Sequence, residues 1–392
     1  MKAHERFLRE ALRLALRGRG FASPNPMVGA VVVKASRIVG RGWHERFGGP
    51  HAEVGALAQA GKKARGATLY VTLEPCSHWG KTPPCVGAIL KAGIRTVVVG
   101  TRDPNAVAAG GSAALRAAGV RVVSGVLDEE CRLLNAGFFK FIRTGLPLVS
   151  AKWAMTADGK IATARGDSRW ITAAKASAFA HELRANHDAV LVGIGTVLTD
   201  APLITARLGL AAPDGSRWQP RRVVLDGRAR TPLNAPLWTA ENGGPLIIFV
   251  TEHAPAERIG GLQEKGAEVV VLPAQEGRVS VEAVLKALAE RGVLSVLVEG
   301  GAEVLGSFLD ARAVDRVYAF VAPKIIGGRD GVTAVRGRGV DRVSQCQELC
   351  DIRTRQFDRD LLIEGHLGDW AWLTPVPDAA PPAKKRRAKK RA

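Results

Sequence analysis

The chain has 392 residues, 46% of them hydrophobic, a length that favours two globular domains over one. It has no apolar run of about 18 residues, and its start, Met1 to Arg6, is not of signal-peptide type. These features argue against a membrane span and make a cytoplasmic location the expectation. The net charge of +19 suggests a polyanion partner, but seven of those charges sit in one tail, Lys384 to Arg391, behind Pro375, Pro377, Pro381 and Pro382.

Taken in chain order, Phe7, Leu8, Ala11, Leu12, Leu14, Ala15 and Leu16 recur at helical spacing and predict a helix ended by Gly18 and Gly20. Val28–Val33 predicts a strand, Ala52–Ala60 a helix stopped by Gly61, Leu69–Leu73 a strand and Pro84–Ala92 a helix stopped by Gly93. Thr96–Val99, Ala113–Ala118 and Val120–Val123 continue as strand, helix and strand, so the first half is expected to be a layered α/β sheet. Gly145 and Pro147 mark a boundary. Residues 1–146 and 147–370 are expected to be separate domains, with 371–392 a disordered Pro-rich basic tail. In the second half the expected strands are 148–155, 189–192, 222–225, 246–250, 268–271, 295–298, 314–321 and 361–366. The expected helices are 173–185, 281–290 and 302–309, and the Gly/Pro-rich stretch 208–220 is expected to be a surface loop.

The chemistry is most explicit in His51-Ala52-Glu53, Pro75-Cys76 and Cys85. A hydrolytic deaminase needs a hydroxide nucleophile near neutral pH, which zinc provides by acidifying a water in an open coordination position. One imidazole and two thiolates, His51, Cys76 and Cys85, supply the other ligands. Glu53, two residues past the histidine, suits the proton shuttle that carries a proton from water to the leaving ammonia. Nucleobase deaminases usually separate the two cysteines by two residues; here Ser77 to Pro84 intervene. The plainer alternative is a surface histidine with two buried free thiols. The remaining cysteines, Cys131, Cys346 and Cys350, fit no zinc pattern, and an odd, sparse set is not a disulfide framework.

In the second half, Glu299-Gly300-Gly301 falls between an expected strand and an expected helix, where exposed backbone N–H groups suit a phosphate. Many strand–helix turns carry glycines, so this signal is weak alone. No Gly-x-Gly-x-x-Gly follows the first strand, so a Rossmann fold is not supported.

Three spans, Pro24 to Ala30, Gly49 to Glu53 and Val71 to Cys85 with its Lys81-Thr82-Pro83-Pro84-Cys85 ending, resemble the bifunctional riboflavin-biosynthesis deaminase/reductase family. Lys152 to Ile161, Ser168 to Thr172 and Val192 to Leu198 resemble the reductase half of the same family, and the likeness covers roughly residues 1–370. The resemblance implies a cytidine-deaminase-like three-layer α/β/α domain followed by a dihydrofolate-reductase-like α/β domain. It implies one zinc ion, NADPH, and a phosphorylated diaminopyrimidinone substrate deaminated at its 2-amino group. It further implies substrate contacts at Asn25, His44 and Lys81 in the first half. NADPH contacts are implied at Ala154, Trp170, Thr196, Asp200 and the Gly301–Ser307 turn, and ribosyl-phosphate contacts at Ser168, Arg184, Ile204, Arg207 and Glu299. Arginines suit phosphate because a guanidinium offers paired N–H groups. After Asp103-Pro104-Asn105 the chain departs from the family: it continues Ala106 to Gly111, with Ala109 where glycine is expected, which predicts less backbone freedom there.

Two readings of another class compete. A nucleic-acid base deaminase would use the basic tail as an RNA arm, but the cysteine spacing and the reductase-like half argue against it. A zinc-stabilised interaction protein would not need Glu53 and would usually add a fourth ligand. A third reading keeps only one active half, for which the altered 106–111 loop is the motive. Small-molecule substrate, no membrane, no nucleic-acid partner and an assembly of identical chains are the expectations.

Overall fold

The computed structural model describes residues 2–80, 83–207, 217–240 and 243–376. The first half builds, in order, α1 (Lys2–Ala15), β1 (Gly29–Lys34), β2 (Arg37–Trp43), α2 (Ala52–Ala60), β3 (Thr68–Leu73), α3 (Cys85–Lys91), β4 (Thr96–Thr101), α4 (Gly111–Ala117), β5 (Arg121–Ser124), α5 (Asp128–Leu134) and α6 (Ala136–Thr144). The strands form one sheet in the order β2-β1-β3-β4-β5, antiparallel through β3 and parallel beyond it. Strand side chains alternate between faces. Ala30, Val32, Leu69, Val71 and Val97 pack under α2, α3 and α4, while Val31, Val33, Tyr70 and Val98 pack under α1 and Cys131 of α5. This is a three-layer α/β/α sandwich.

The second half builds β6 (Leu148–Thr156), β7 (Lys160–Ala162), α7 (Ala174–Ala185), β8 (Ala189–Gly193), α8 (Ile194–Asp200), β9 (Arg221–Leu225), β10 (Leu246–Thr251), α9 (Ala256–Glu264) and β11 (Glu268–Leu272). It continues with β12 (Ala274–Gln275), β13 (Arg278–Val279), α10 (Val281–Glu290), β14 (Ser295–Gly300), α11 (Ala302–Asp310), β15 (Arg316–Ala322), β16 (Val332–Thr333), β17 (Leu349–Phe357) and β18 (Asp360–Leu367). Nine strands form the main sheet, ordered β11-β10-β9-β8-β14-β6-β15-β18-β17. It is parallel from β11 to β15; β18 then pairs antiparallel with β15, and β17 antiparallel with β18. Helices α10 and α11 cover one face, and α7, α8 and α9 the other.

The halves share a buried apolar cluster: Leu73, Phe138 and Phe139 from the first meet Leu148, Leu294, Trp370 and Leu373 from the second. Lys140 and Asp315 form an ion pair of 2.5 Å across the same seam, with both side chains about nine-tenths covered. Among the described residues no helix is long and apolar enough to cross a membrane. Most predicted elements form within a residue or two of their expected ends. The sequence patterns do not anticipate β2, α5, α6, α8, α9 or β17, nor the short strands β7, β12, β13 and β16. Most of the expected 208–220 loop and most of the tail lie outside the described residues.

Candidate active sites

The first site gathers at the C-terminal end of β3 and the starts of α2 and α3. His51 caps α2 with extended backbone, so its ring hangs off the helix end while Glu53 sits in the first turn. Cys85 is the first residue of α3, and Cys76 lies on the loop leaving β3. Gly42 lets α2 come this close to the sheet: a Cβ there would lie 2.2 Å from the Ala52 carbonyl oxygen.

The His51 Nδ1 atom is 3.2 Å from Cys85 Sγ and 3.5 Å from Cys76 Sγ, and the three ligand atoms lie within 4.8 Å of one another. Tetrahedral zinc bonded to one nitrogen and two sulfurs requires N···S edges of about 3.6 Å, so the donor set fits zinc and leaves a position open. The Cys85 backbone N–H donates to Cys76 Sγ at 3.4 Å. Hydrogen bonds from the Cys85 thiol and from His51 bring the Cys76 thiol down to about 4, while its thiolate partner and burial push Cys85 up. Glu53 is buried, and desolvation holds its carboxyl above the usual range.

A hollow of about 250 Å3 opens over this group, lined by Asn25, His44, His51, Glu53 and Cys76. His44 Nδ1 faces the Pro50 carbonyl at 3.1 Å, an acceptor only, so that nitrogen carries the proton. Its Nε2 therefore accepts from the Asn25 amide at 3.1 Å. Burial lowers the His44 pKa and keeps the ring neutral. Lys81 lies outside the described residues. Asp103 and Asn105 also line the hollow, though the chemistry of the zinc motif did not single them out; their signal was the Asp-Pro-Asn turn after β4. Burial pushes Asp103 up to about 7.

The divergent loop docks on the cysteine segment. The Ser77 backbone N–H donates to the Ala108 carbonyl at 3.3 Å and its hydroxyl to the Ala109 carbonyl at 2.8 Å. Ala109 is not in the left-handed region, so it needs no glycine. The two positions in this loop that require glycine are Gly110 and Gly111. Gly110 has φ 96°, and a Cβ on Gly111 would lie 1.7 Å from the Pro75 carbonyl oxygen.

The second site is a cleft of about 960 Å3 along the C-terminal ends of β6, β14, β8 and β9. All six residues expected at NADPH, Ala154, Trp170, Thr196, Asp200, Gly301 and Ser307, line it. The Gly300-Gly301 turn leads into α11, and Gly300 has φ 137°, open only to glycine. A long cleft floored by a bare glycine turn fits a dinucleotide. Of the five residues expected at the ribosyl phosphate, Ser168 and Glu299 line the same cleft. Arg207 instead lines an adjoining hollow of about 730 Å3 with His181, Lys324 and Arg359. Ile204 is buried at φ 54°, a costly backbone for a β-branched residue of the kind that clusters at functional sites.

Arg184 is committed elsewhere. Its Nε donates to both Glu299 oxygens at 3.0 and 2.9 Å, its Nη2 to Oε2 at 2.5 Å and its Nη1 to the Thr205 carbonyl at 3.0 Å. The paired N–H groups that suited it to phosphate are thus turned to a carboxylate. Lys152 is a further residue of this site, absent from the expected contacts although it stands in the first reductase motif. Burial lowers its amine's pKa, and the Glu299 charge opposes that shift.

Both halves of the chain match known families. Residues 1–101 match the family model for the cytidine and deoxycytidylate deaminase zinc-binding region, and residues 147–363 match the RibD C-terminal domain. The riboflavin biosynthesis protein RibD of Aquifex aeolicus is 43% identical over 358 residues, covering 91% of this chain and 96% of that protein. The Escherichia coli protein of the same name is 39% identical, covering 82% of this chain and 88% of that one. A Thermotoga maritima crystal structure described as a diaminohydroxyphosphoribosylaminopyrimidine deaminase/5-amino-6-(5-phosphoribosylamino)uracil reductase superposes with a TM-score of 0.81 at 40% identity. It covers 94% of this chain and 99% of that one. Acinetobacter baumannii RibD gives 0.83 at 34% identity, with the same coverage of each. A zinc-binding deaminase half and an NADPH-using reductase half in one chain, matched along nearly its whole length, make this protein a member of the RibD family of bifunctional riboflavin-biosynthesis deaminase/reductases.

Proposed function

We propose that the chain performs two consecutive steps on 2,5-diamino-6-(5-phospho-ribosylamino)pyrimidin-4(3H)-one. Water first replaces the exocyclic 2-amino group, releasing ammonia. A hydride and a proton then reduce the opened ribose carbon C1′, giving 5-amino-6-(5-phospho-ribitylamino)uracil. The observation that carries this reading is the buried Glu53 carboxyl beside three metal-ligand atoms at zinc spacing, at the floor of a small hollow.

In this reading His51, Cys76 and Cys85 hold zinc, which when bound supplies the Lewis acidity that makes water a nucleophile at neutral pH. Glu53 takes the proton from the attacking water and gives it to the departing amine. Asn25 and Lys81 hold the substrate, and His44 fixes the Asn25 amide. In the second half NADPH supplies the hydride. Ala154, Trp170, Thr196, Asp200, Gly301 and Ser307 line its site. Ser168, Ile204 and Arg207 serve the ribosyl phosphate, and Glu299, backed by Arg184, faces the sugar. The units are residues 1–146, 147–370 and the tail 371–392, in a cytoplasmic enzyme assembled from identical chains.

Glu53→Gln tests the assignment in purified, zinc-loaded protein. Ammonia release should fall by about 100-fold or more, while reduction of separately supplied deaminated intermediate persists. Deamination at near wild-type rate would remove Glu53 from its role.

A further inference from the structure

The positive charge of this chain is unevenly placed. Residues 1–146 hold 22 Lys and Arg against 9 Asp and Glu, whereas residues 147–383 hold 27 against 28. Outside the tail, the whole excess therefore lies in the first half. Such asymmetry between halves points to a polyanionic partner.

The fold gathers that excess at one end of the first sheet. Strands β3, β4 and β5 are parallel and begin side by side, with Thr68 opposite Thr96 and Thr96 opposite Arg121. Strand β1 runs the other way, so its end at Lys34 and the start of β2 at Arg37 join the same rim. The connecting segments 34–37, 61–68, 91–96 and 117–121 together carry eight Lys and Arg and no Asp or Glu. Backbone hydrogen bonds tie three of these segments together. The Gly66 N–H donates to the Gly93 carbonyl at 2.7 Å, the Arg95 N–H to the Ala67 carbonyl at 3.0 Å and the Arg121 N–H to the Arg95 carbonyl at 3.1 Å. Lys34 Nζ joins the fourth by donating to the Arg65 carbonyl at 2.8 Å.

All eight basic residues are exposed, and none forms an ion pair among the described residues. The acids of this half are engaged elsewhere. Glu10 meets Arg13 and Arg41, Glu130 meets Arg9 and Asp128 meets Arg132. Glu53, Glu74 and Asp103 line the zinc-site hollow at the other end of the sheet.

Four strand spacings make the rim about 19 Å long. One strand of a duplex sets a phosphate about every 3.4 Å along the axis, so the rim can face about five of them. Its composition selects among polyanions. Protein interfaces are enriched in aromatic residues and Met and depleted in Lys. A polybasic patch holds a membrane stably only with a lipid chain or an inserted apolar face. The four segments contain no aromatic residue and no Met, and Ile94 and Val120 are buried. Charge is what the rim offers, and a phosphodiester backbone asks for nothing else. We propose that this rim docks the backbone of a nucleic-acid duplex without reading its sequence. The duplex is a docking partner and not a substrate, since the zinc-spaced ligands gather at the opposite end of β3.

Fluorescence anisotropy of labelled RNA and DNA duplexes of about 20 base pairs, titrated with full-length, zinc-loaded protein, tests it. Affinity should fall about 100- to 1000-fold between about 50 and 200 mM salt, and equally for scrambled sequences. Binding of either duplex supports the inference, and the tighter one identifies the source of the backbone. Arg37→Gln/Lys62→Gln/Lys63→Gln/Arg65→Gln should weaken binding about 10-fold or more and make the salt slope shallower by about 3. Ammonia release should stay at the wild-type rate in that variant. Arg312→Gln/Arg329→Gln/Arg342→Gln/Arg353→Gln removes the same charge from the second half and should change binding by less than about 2-fold. The contrast between the two variants should persist in protein lacking residues 383–392, which separates the rim from the tail. A rim variant that binds like the wild type, a second-half variant that loses as much, or wild-type protein that ignores both duplexes overturns the inference. So does equally tight binding of polyglutamate, which would assign the rim to an acidic protein, or of phosphatidylglycerol vesicles, which would assign it to a membrane.

Discussion

Glu299 and His187 are two buried groups that remain acceptable in the core for opposite reasons. Glu299 keeps its charge because Arg184 and Lys152 surround it, which holds its carboxyl below the ordinary range even though burial works the other way. His187 gives its charge up: burial pulls it from about 6.5 down to about 4, and its ring is fixed by the Leu183 carbonyl at 2.7 Å and the Ser150 hydroxyl at 2.8 Å. The sign of the pH effect follows. Above about 6.5 the ring is neutral in both folded and unfolded chains, and its contribution is intact. As the pH falls toward 4 the unfolded chain binds the proton first, so stability is lost over that window, by up to about 3 kcal/mol. Denaturation midpoints between pH 7.5 and 4.5 should therefore decline less steeply in His187→Gln than in the wild type. An unchanged slope would show that other groups dominate.

At the scale of elements, the zinc site depends on how closely α2 can lie on β2. Gly40 and Gly42 allow it: a Cβ at either would sit about 2 Å from a helix carbonyl oxygen, at Ala56 and Ala52 respectively. Gly42→Ala should push the first turn of α2 outward, carrying His51 and Glu53 with it, at a cost of about 1–3 kcal/mol. Zinc content and ammonia release should both fall, while reduction of supplied intermediate is kept; full zinc occupancy in this variant would contradict the account. The same glycines explain why β2 was not legible in the sequence, since they look like breakers inside a strand. Helix α9 hides in the same way behind Gly260-Gly261, and α8 behind Gly195. Strand β17 is an edge strand exposed along nearly all its length, so it lacks the apolar alternation that betrays a half-buried strand. By contrast His51, Glu53, Cys76 and Cys85 were legible because their residue types are scarce and their spacing carries a chemical requirement. The reductase cleft was not, because its walls come together only through a strand order that inserts β14 between β8 and β6. The partnership of Arg184 with Glu299, 115 residues apart, has no local sequence signal at all.

At the scale of the whole molecule, the two halves are locked rather than merely tethered. The apolar cluster around Phe139 draws on both, and the Lys140–Asp315 pair crosses the seam with Asp315 also accepting from the Val149 N–H at 2.7 Å. The segment after β18 closes the seam: Arg132 donates to the Leu373 carbonyl and Arg143 to the Trp372 carbonyl at 2.9 Å. This joint holds a deaminase and a reductase in fixed relation, with the first hollow over zinc-spaced ligands and the second across the C-terminal ends of four interior strands. The most direct test of that pairing is mass spectrometry of the products formed from the diaminopyrimidinone phosphate by the zinc-loaded protein, with and without NADPH. Without NADPH the account predicts one product in which the amino group is exchanged for oxygen; with NADPH it predicts that product carrying two further hydrogens. A reduced product that still holds the 2-amino group, or a product unchanged by NADPH, would contradict it.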